Sequence, residues 1–475
     1  MAVGAYPDAV LAATRSVAGD RPVLVIGAGV AGLAAIRLLA AAGCPVLVAA
    51  DRPVTAALPD RAVPIGNPVE LPAGVGLVVT SPGVRPAAAL PAAAVAAGVE
   101  VIGETELAWR IDVALPVRRP WLVVTGTNGK TTTTGMLESI LRKAGLSVTA
   151  CGNIGWPVID AVADRGQQVI AVELSSFQLS AAPSLRPWAG AVLNVAEDHL
   201  DWHGTMADYA AAKARALTGE VAVAVRDDAR AAALLDASPA RRRVGVTGRV
   251  PADGSLGVLD GMLVDRAFFS GELLPAAAVR PPGGHNVTNA LTAAALALSL
   301  AEVDAEAVAA GLRAFRPGGH RNVRVAEVGG VEWIDDSKAT NPHAAAASLA
   351  AYPSVVWIAG GQLKGAAVDD LVMAVRGRLR AVVLLGVDGP VIERALSRHA
   401  PDVPRRTVPA PDDGPMEAPA VMQAAVRAAA DLARPGDTVL LAPAAASLDM
   451  FASYAARGEA FASAVAALPA GRGRR

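Results

Sequence analysis

Cysteine is scarce in this sequence, because Cys44 and Cys151 are the only two cysteines in 475 residues. Two isolated cysteines cannot form a disulfide framework, and they give no cluster with metal-ligand spacing. Long apolar runs are also missing, since glycine, proline or a charged residue interrupts each run before the ~18 residues that a membrane-spanning helix needs. The N-terminus has no basic stretch followed by an apolar core, so no secretion signal is predicted. We therefore expect a cytoplasmic protein.

The sequence also has no excess of positively or negatively charged residues. The chain has 43 Lys and Arg residues against 44 Asp and Glu residues, which gives a formal net charge of −1. A nucleic-acid scaffold is normally basic, so this balance argues against one. We expect a monomer whose partners are small molecules, not nucleic acid or a membrane. A chain of this length is expected to hold two to four domains.

A phosphate-binding loop is the strongest motif in the chain. An apolar strand is predicted over 121–124, a glycine turn over 126–129, and a helix that opens with Lys130 and Thr131. Such a loop directs backbone N–H groups and a helix N-terminus at phosphate oxygens. Lys130 can neutralise a β- or γ-phosphate, and the Thr131 hydroxyl can hold Mg²⁺. The loop is shorter than the usual G-x-x-x-x-G-K motif, whose first glycine would fall on Val124.

A second glycine loop lies near the N-terminus. A strand over 22–26 is followed by the loop 27–32, a helix, and another strand over 46–49 that ends near Asp51. This layout is typical of NAD- or FAD-binding units. It also suits another diphosphate, such as that of a nucleotide sugar. The ATP-type loop in the same chain makes the dinucleotide interpretation less compelling, and both remain open at this point.

Polar residues follow several other predicted strands. Glu173 ends the strand over 169–173, where it can hold Mg²⁺ directly or through water. His199 follows the strand over 190–194, either as a buried structural histidine or as part of the phosphate site. Asn286 can cap the alanine-rich helix that follows it, or contact a base or phosphate.

Strands and helices alternate through the whole chain, which predicts an α/β protein with doubly wound sheets. We predict three domains. Residues 1–114 would form a Rossmann-like domain, residues 115–316 a P-loop-type ATP-binding domain, and residues 317–475 a second Rossmann-like domain. The proline-flanked stretch over 115–120 would link the first two.

Six ordered motifs resemble those of the Mur ligases across nearly the whole chain. They lie at 126–132, 173–179, 194–201, 284–290, 320–321 and 335–341. The resemblance implies an ATP-driven amide ligase that adds D-glutamate to UDP-N-acetylmuramoyl-L-alanine through an acyl phosphate, in peptidoglycan precursor synthesis. It further implies ATP and two Mg²⁺ ions as cofactors, and the diphosphate of UDP instead of NAD at the loop over 27–32. By the same resemblance, residues 1–114 would bind the UDP-linked substrate and residues 317–475 the amino acid.

The resemblance also implies site residues. Those with catalytic roles are Lys130, Glu173, His199 and Lys213. Those at ATP are Gly126, Thr127, Asn128, Gly129, Lys130, Thr131, Thr132, Asn286, Asn289, Arg321, Asp336 and Lys338. Those at the UDP-linked substrate are Gly29, Val30, Ala31, Asp51, Arg52, Ser81, Asn153 and His199. Those at D-glutamate are Thr340, Lys364, Ser447, Leu448 and Tyr454. The metal ligands are Thr131, Glu173, His199 and, once carbamylated, Lys213.

Two departures from the family pattern affect substrate contacts. Ala31 stands where related enzymes can carry a hydroxyl, and Gln362–Leu363 differ from the usual loop before Lys364. Two other functions compete with the ligase interpretation. Another Mur-type or folylpolyglutamate synthase-like ligase would share the central domain, although the latter would not need the loop over 27–32. An NAD-dependent oxidoreductase would leave Lys130, Glu173 and His199 without a purpose.

Overall fold

The computed structural model describes residues 6–408 and 418–469. The described chain forms three separate sheets, each surrounded by helices, so the predicted α/β class is confirmed. The fold divides into two compact units. One comprises Met1–Ala278 and Thr288–Phe315, and the other comprises Val279–Val287 and Arg316–Arg475. No helix among the described residues is both long enough and apolar enough to cross a bilayer.

The first sheet has five parallel strands in the order β3-β2-β1-β4-β5. The strands are β1 Val23–Ile26, β2 Val46–Ala49, β3 Ala62–Gly66, β4 Leu77–Thr80 and β5 Glu100–Gly103. The helices are α1 Asp8–Ala18, α2 Val30–Ala41, α3 Ala89–Ala96 and α4 Glu104–Ala114. The strand order reverses between β1 and β4, and open α/β sheets bind ligands at the carboxyl ends of such strands.

The second sheet has nine strands in the order β14-β13-β12-β11-β10-β9-β6-β8-β7. The strands are β6 Trp121–Thr125, β7 Cys151–Gly152, β8 Ile170–Glu173, β9 Ala189–Val192, β10 Val221–Val225, β11 Arg242–Val246, β12 Ser255–Leu259, β13 Met262–Asp265 and β14 Gly271–Pro275. Pairing is parallel from β7 to β12, and β12, β13 and β14 form an antiparallel meander. Strand β6 lies between β8 and β9, so the segments that follow these three strands meet at one edge.

The helices around this sheet are α5 Lys130–Lys143, α6 Val158–Ala163, α7 Ser176–Ser180, α8 Leu200–His203, α9 Met206–Ala214, α10 Ala229–Asp236, α11 Gly284–Ala297 and α12 Ala305–Ala314, with short 3₁₀ turns at Arg215–Leu217 and Ala276–Ala278.

One hydrophobic core is shared by the first two sheets. It is continuous from Val10 to Ala216 and draws on helices and strands of both. Trp109 of α4 packs edge-on against Trp121 of β6, with ring centroids 5.3 Å apart. Beside them, the buried Asp112 carboxylate accepts hydrogen bonds from Arg119 Nη2 at 2.6 Å and from Trp121 Nε1 at 3.0 Å. The stretch predicted as a linker is therefore fixed by buried polar contacts at its end.

The third sheet has six strands in the order β15-β16-β20-β17-β18-β19 and is parallel except for β15. The strands are β15 Val323–Val328, β16 Val331–Asp335, β17 Val355–Gly360, β18 Leu379–Leu385, β19 Arg405–Thr407 and β20 Thr438–Leu441. The helices are α13 Pro342–Leu349, α14 Asp369–Val375, α15 Gly389–His399, α16 Ala418–Leu432 and α17 Tyr454–Ala466, with a 3₁₀ turn at Arg376–Arg378. Its two core clusters lie on opposite faces, one around Trp357 and the other around Trp333 and Phe461.

Candidate active site

The turn between β6 and α5 has the geometry of a phosphate loop. Gly129 precedes the helix with φ 86°, a left-handed conformation that favours glycine. A Cβ atom at Gly129 would lie only 2.6 Å from Asn289 Oδ1. The side chain of Asn289 therefore reaches the loop directly, and Gly129 is required both for its conformation and for this close approach.

Lys130 points its ammonium group back over the loop. Its Nζ donates to the carbonyl oxygens of Gly126 at 3.0 Å and Thr127 at 2.9 Å. Burial lowers the pKa of Lys130, while the negative charges of Glu173 and Asp198 act in the opposite direction. A cation in this position can neutralise phosphate oxygens bound by the loop.

Two residues that the sequence analysis did not select support the loop. Asn194, which follows β9, accepts from the Asn128 N–H at 2.8 Å and donates to the Asn128 carbonyl at 3.1 Å. The Tyr209 hydroxyl lies 3.0 Å from Thr127 Oγ1. Asn194 could have been found from its place at the end of a strand beside β6. Tyr209 lies in an alanine-rich helix, where no local signal distinguishes it.

Glu173 ends β8 beside the loop and is buried. Its two carboxylate oxygens accept from Thr131 Oγ1 at 2.7 Å and from Asn153 Nδ2 at 2.8 Å. The described residues include no group of three or more His, Cys, Asp or Glu side chains that could hold a metal by themselves. Mg²⁺ is usually bound through one or two carboxylates together with substrate phosphates and water. The Glu173 carboxylate and the Thr131 hydroxyl oxygen beside it therefore fit Mg²⁺.

Lys213 of α9 also contacts the loop. It is only 1% exposed, its Nζ donates to Gly126 O at 2.8 Å, and the amine lies 4.4 Å from the centre of the Tyr209 ring. Burial, and then repulsion from Lys130, lower the pKa of Lys213 well below its usual value. A buried amine in this environment is favoured in its neutral, nucleophilic form.

His199 is not a buried structural histidine, because 47% of its side chain is exposed. It precedes α8 in a left-handed conformation with φ 55°, and its Nδ1 lies 3.6 Å from Asp198 Oδ1. Desolvation lowers the pKa of His199, and the Asp198 carboxylate opposes that change. A largely neutral imidazole that is open to solvent can act as a metal ligand.

Five aromatic rings, which we call the ring cluster, pack beside this site: Phe177, His199, Trp202, His203 and Tyr209. The Phe177 ring centroid lies 4.8 Å from those of His199 and Trp202 and 5.5 Å from that of His203. The His203 centroid lies 5.1 Å from that of Tyr209. The cluster therefore joins α7, α8 and α9.

The first glycine loop connects β1 to α2 and is closely packed. A Cβ atom on Gly32 would lie 1.9 Å from Gly27 O, and Ser81 Oγ donates to the same oxygen at 3.0 Å. Val30 is 70% exposed at the start of α2, and Gly29 precedes it. The Ser81 side chain thus supports the loop by a hydrogen bond to the loop backbone.

Two further predicted contacts of the UDP-linked substrate, Asp51 and Arg52, follow β2 of this sheet. The Asp51 carboxylate accepts from Asn67 Nδ2 at 2.5 Å, and Arg52 is exposed beside it. Ala31 is part-buried in the first turn of α2 and provides no side-chain donor at this loop.

The helix-capping role predicted for Asn286 is wrong. Helix α11 begins at Gly284, so Asn286 lies inside it, and its Nδ2 donates to Pro282 O at 3.2 Å. The predicted ATP contacts Asn286, Arg321, Asp336 and Lys338 all belong to the second unit.

Polar residues in that unit gather where β15 begins and β16 ends. His320 Nδ1 lies 2.6 Å from Asp335 Oδ2, and the Asn322 N–H donates to Asp336 Oδ1 at 3.1 Å. Burial raises the pKa of Asp336 to about 6. The ammonium of Lys338 lies 4.0 Å from the centre of the Tyr454 ring.

The residues predicted at D-glutamate follow three neighbouring strands. Thr340 follows β16, Lys364 follows β17 with φ 54°, and Ser447 and Leu448 follow β20. Ser447 is 3% exposed, whereas Leu448 is 63% exposed. Tyr454 begins α17.

Backbone hydrogen bonds hold the loop at Gln362–Leu363. Gln362 pairs with Ala446 through two backbone hydrogen bonds of 2.8 and 2.9 Å, and the Leu363 N–H donates to Asp388 Oδ2 at 2.7 Å. These contacts do not use the side chain of either departing residue.

Arg457 is a further residue that sequence reasoning missed. It is completely buried, and its guanidinium donates to Ser337 Oγ at 2.9 Å and to Ala445 O at 3.1 Å. It therefore ties together the segments that follow β16 and β20. Both partners are far from it in the chain, so no local pattern indicates this contact.

Comparison with known proteins gives a consistent result. Residues 124–297 match the Mur ligase middle domain, and residues 320–445 match the Mur ligase glutamate ligase domain. The chain is 54% identical to the UDP-N-acetylmuramoylalanine--D-glutamate ligase of Nocardia farcinica, over 95% of this chain and 97% of the relative. It is also 54% identical to the enzyme of that name from Mycobacterium avium, over 94% of this chain and 96% of the relative.

Among solved structures, the MurF ligase of Thermotoga maritima in complex with ADP superposes with a TM-score of 0.55 at 17% identity. That alignment covers 96% of this chain and 98% of the MurF chain. At this level of identity the likeness supports the fold.

Proposed function

We propose, because the chain belongs to the Mur ligase family, that it joins D-glutamate to UDP-N-acetylmuramoyl-L-alanine. ATP supplies the energy, and the reaction is a step of peptidoglycan precursor synthesis. The observation that carries this proposal is the group of Lys130, Thr131, Glu173 and Lys213 around one glycine loop. The names of the two relatives described above, and their near-complete coverage, favour D-glutamate over other amino acids.

The reaction has two steps. A carboxylate oxygen of the L-alanine residue attacks the γ-phosphorus of ATP, which forms an acyl phosphate and releases ADP. The amine of D-glutamate then attacks the acyl carbon, the C–O bond to phosphate breaks, and the amine loses a proton as the amide forms. The first step brings two anions together, so it requires positive charge at the transferring phosphoryl group. Lys130, held over the loop, is placed to supply it.

Two Mg²⁺ ions complete the proposed charge balance. Thr131 and Glu173 would hold the first ion, and His199 and carbamylated Lys213 would hold the second. When bound, these ions neutralise phosphate and carboxylate charge. The buried Glu173 carboxylate, oriented by Thr131 and Asn153, fits such an ion well.

The environment of Lys213 favours carbamylation. A neutral amine adds to CO₂ by forming an N–C bond, and the proton it loses goes to solvent. Repulsion from Lys130 disfavours an ammonium at this position and favours an anion there. The carbamate nitrogen retains one N–H, which can still donate to Gly126 O.

The remaining substrates are assigned to the other two sheets. The loop over 27–32 would hold the UDP diphosphate with its backbone N–H groups at the start of α2, and Asp51, Arg52, Ser81 and Asn153 would lie along the rest of that substrate. Thr340, Lys364, Ser447, Leu448 and Tyr454 would surround D-glutamate. The domain boundaries at 114/115 and 316/317, a monomeric state and a cytoplasmic location complete the proposal.

Phosphate release tests the function directly. With ATP, Mg²⁺ and UDP-N-acetylmuramoyl-L-alanine, phosphate should appear only when D-glutamate is added. Lys130→Ala should reduce release by about 100-fold or more, as expected when a transition-state charge contact is lost. Calorimetry should show that this variant still binds the UDP-linked substrate. Equal release with L-glutamate, or release that requires a folate in place of the UDP-sugar, would favour another ligase of the family.

A further inference from the structure

His203 contacts both segments that carry the proposed metal ligands. It is the last residue of α8, and its Nε2 lies 2.8 Å from Ser176 Oγ. Ser176 begins α7, immediately beyond the β8 end that carries Glu173. On its other side, the His203 ring lies 5.1 Å from the ring of Tyr209, one helical turn before Lys213 in α9. His203 thus lies between the Glu173 segment and the Lys213 segment without contacting either ligand.

The ring of Phe177 makes this arrangement rigid. It stacks on His203 with an interplanar angle of 13°, while Trp202 packs edge-on against His203 with centroids 4.5 Å apart. Aromatic pairs at these separations attract one another beyond the burial of their area. Two aromatic rings therefore restrict the orientation of the imidazole, and the imidazole restricts the orientation of the residues it contacts.

Tyr209 carries the effect to the loop. Its ring lies 4.4 Å from Lys213 Nζ, and its hydroxyl lies 3.0 Å from Thr127 Oγ1. If the His203 ring were removed, Tyr209 would lose an aromatic neighbour whose ring centroid lies 5.1 Å from its own. Both the orientation of the Lys213 amine and the packing of Thr127 would then loosen.

We propose that His203 is a positioning residue that sets the relative placement of Lys213, through Tyr209, and of Glu173, through Ser176. This inference rests on the proposed function, because that function makes Lys213 and Glu173 the metal ligands. The two effects use different parts of His203, since the ring contacts Tyr209 whereas Nε2 contacts Ser176. They can therefore be separated by substitution.

The charge state of His203 agrees with a positioning role. Burial is the main cause that lowers the pKa of His203. The imidazole is thus neutral at neutral pH, and it acts through its shape and one hydrogen bond.

The test compares His203→Phe with His203→Gln. The phenylalanine variant keeps an aromatic ring but loses the contact with Ser176, and the glutamine variant keeps a polar nitrogen near Nε2 but loses the ring. Carbamate occupancy is measured as the ¹³C resonance that appears with ¹³C-bicarbonate and is absent in Lys213→Ala. The binding of a non-hydrolysable ATP analogue is measured by calorimetry as a function of Mg²⁺.

We expect His203→Gln to lose roughly tenfold in carbamate occupancy at limiting bicarbonate, the size of one aromatic contact. His203→Phe should keep the occupancy but need several-fold more Mg²⁺ for half-maximal binding of the analogue. The KM for D-glutamate should change less than twofold in both. Leu256→Ala is the control, because Leu256 is fully buried in β12 and outside the ring cluster.

The results separate failure of this inference from failure of the proposed function. If wild-type protein shows the carbamate signal but both His203 variants match it in occupancy and Mg²⁺ dependence, the positioning role is wrong. Losses equal to those in Leu256→Ala would also overturn it, since they would report general destabilisation. If wild-type protein shows no carbamate and Lys213→Ala remains active, the proposed metal ligand set fails, and the inference fails with it.

Discussion

At the scale of single residues, burial decides which side chains are reactive. Lys130 and Lys213 both donate to the Gly126 carbonyl, yet Lys213 is the more deeply buried, and burial and then repulsion from Lys130 lower its pKa. Two lysines on one loop can therefore serve different purposes, one as a fixed positive charge and the other as an amine that becomes an anion.

Lys213→Ala should abolish ligation, and small carboxylates such as acetate or formate should restore part of the activity. The carboxylate would occupy the space and supply the charge of the lost carbamate. Activity is measured by phosphate release with increasing carboxylate, and Lys130→Ala, which loses a cation, should not be rescued. Full activity in Lys213→Ala without any additive would remove the carbamate from the mechanism.

Glu104 should make folding stability depend on pH. Its carboxyl group is buried and accepts from the Ile159 N–H at 2.7 Å, and desolvation raises the pKa of Glu104 from 4.5 to about 7. A carboxyl whose pKa is raised on folding stabilises the fold fully below pH 4.5, and this contribution is lost as the pH rises through 7. The shift corresponds to at most about 3 kcal/mol.

Urea unfolding of wild-type protein and Glu104→Gln at pH 5 and pH 8 tests this expectation. The wild type should lose more stability than the variant between the two pH values, because glutamine does not titrate. Parallel losses in the two proteins would show that Glu104 is not the responsible group.

At the scale of elements, the ends of parallel strands determine where the sites form. The strand–turn–helix pattern around Lys130 and the strand that ends at Glu173 were predictable, because apolar runs and glycines are local signals. The exposure of His199, the position of Asn286 inside α11 and the contacts of Arg457 were not. They depend on packing between segments that are distant in the chain, and a single sequence does not show it.

Gly32→Ala should damage the first glycine loop selectively. The added methyl would lie 1.9 Å from Gly27 O, so α2 must move away from β1. Overpacking of this kind typically costs about 1–3 kcal/mol, and binding of the UDP-linked substrate should fall with it. Calorimetry should show that the variant binds the UDP-linked substrate more weakly but binds the non-hydrolysable ATP analogue as the wild type does.

Gly29→Ala is the matched control for stability in the same loop, because its Cβ atom would meet nothing within 4 Å and its φ is −75°. An equal loss of stability in both variants would mean that the close approach at Gly32 is not the cause.

At the scale of the whole molecule, the hydrophobic clusters predict which fragments fold alone. Both core clusters of the third sheet draw only on residues between 331 and 465, whereas the cluster of the first two sheets crosses position 115. We expect a fragment of residues 317–475 to unfold cooperatively. A fragment of residues 115–316 should not, because it lacks all the residues of the shared cluster that precede position 115.

Circular dichroism and urea unfolding of the two fragments test this expectation, with residues 1–316 as the control that restores the shared core. Cooperative unfolding of 115–316 alone would show that the packing across position 115 is dispensable.

The core shared by the first two sheets restricts which domains can be exchanged between homologues. The Trp109–Trp121 pair and the buried Arg119–Asp112 contact need matching partners on both sides of position 115. In a chimaera that takes its first 114 residues from a distant homologue, the core residues on the two sides of position 115 would not pack well against one another. A chimaera joined at 316/317 would keep both clusters of the third sheet intact, so exchange of the proposed amino-acid-binding domain is the more feasible route to a new specificity.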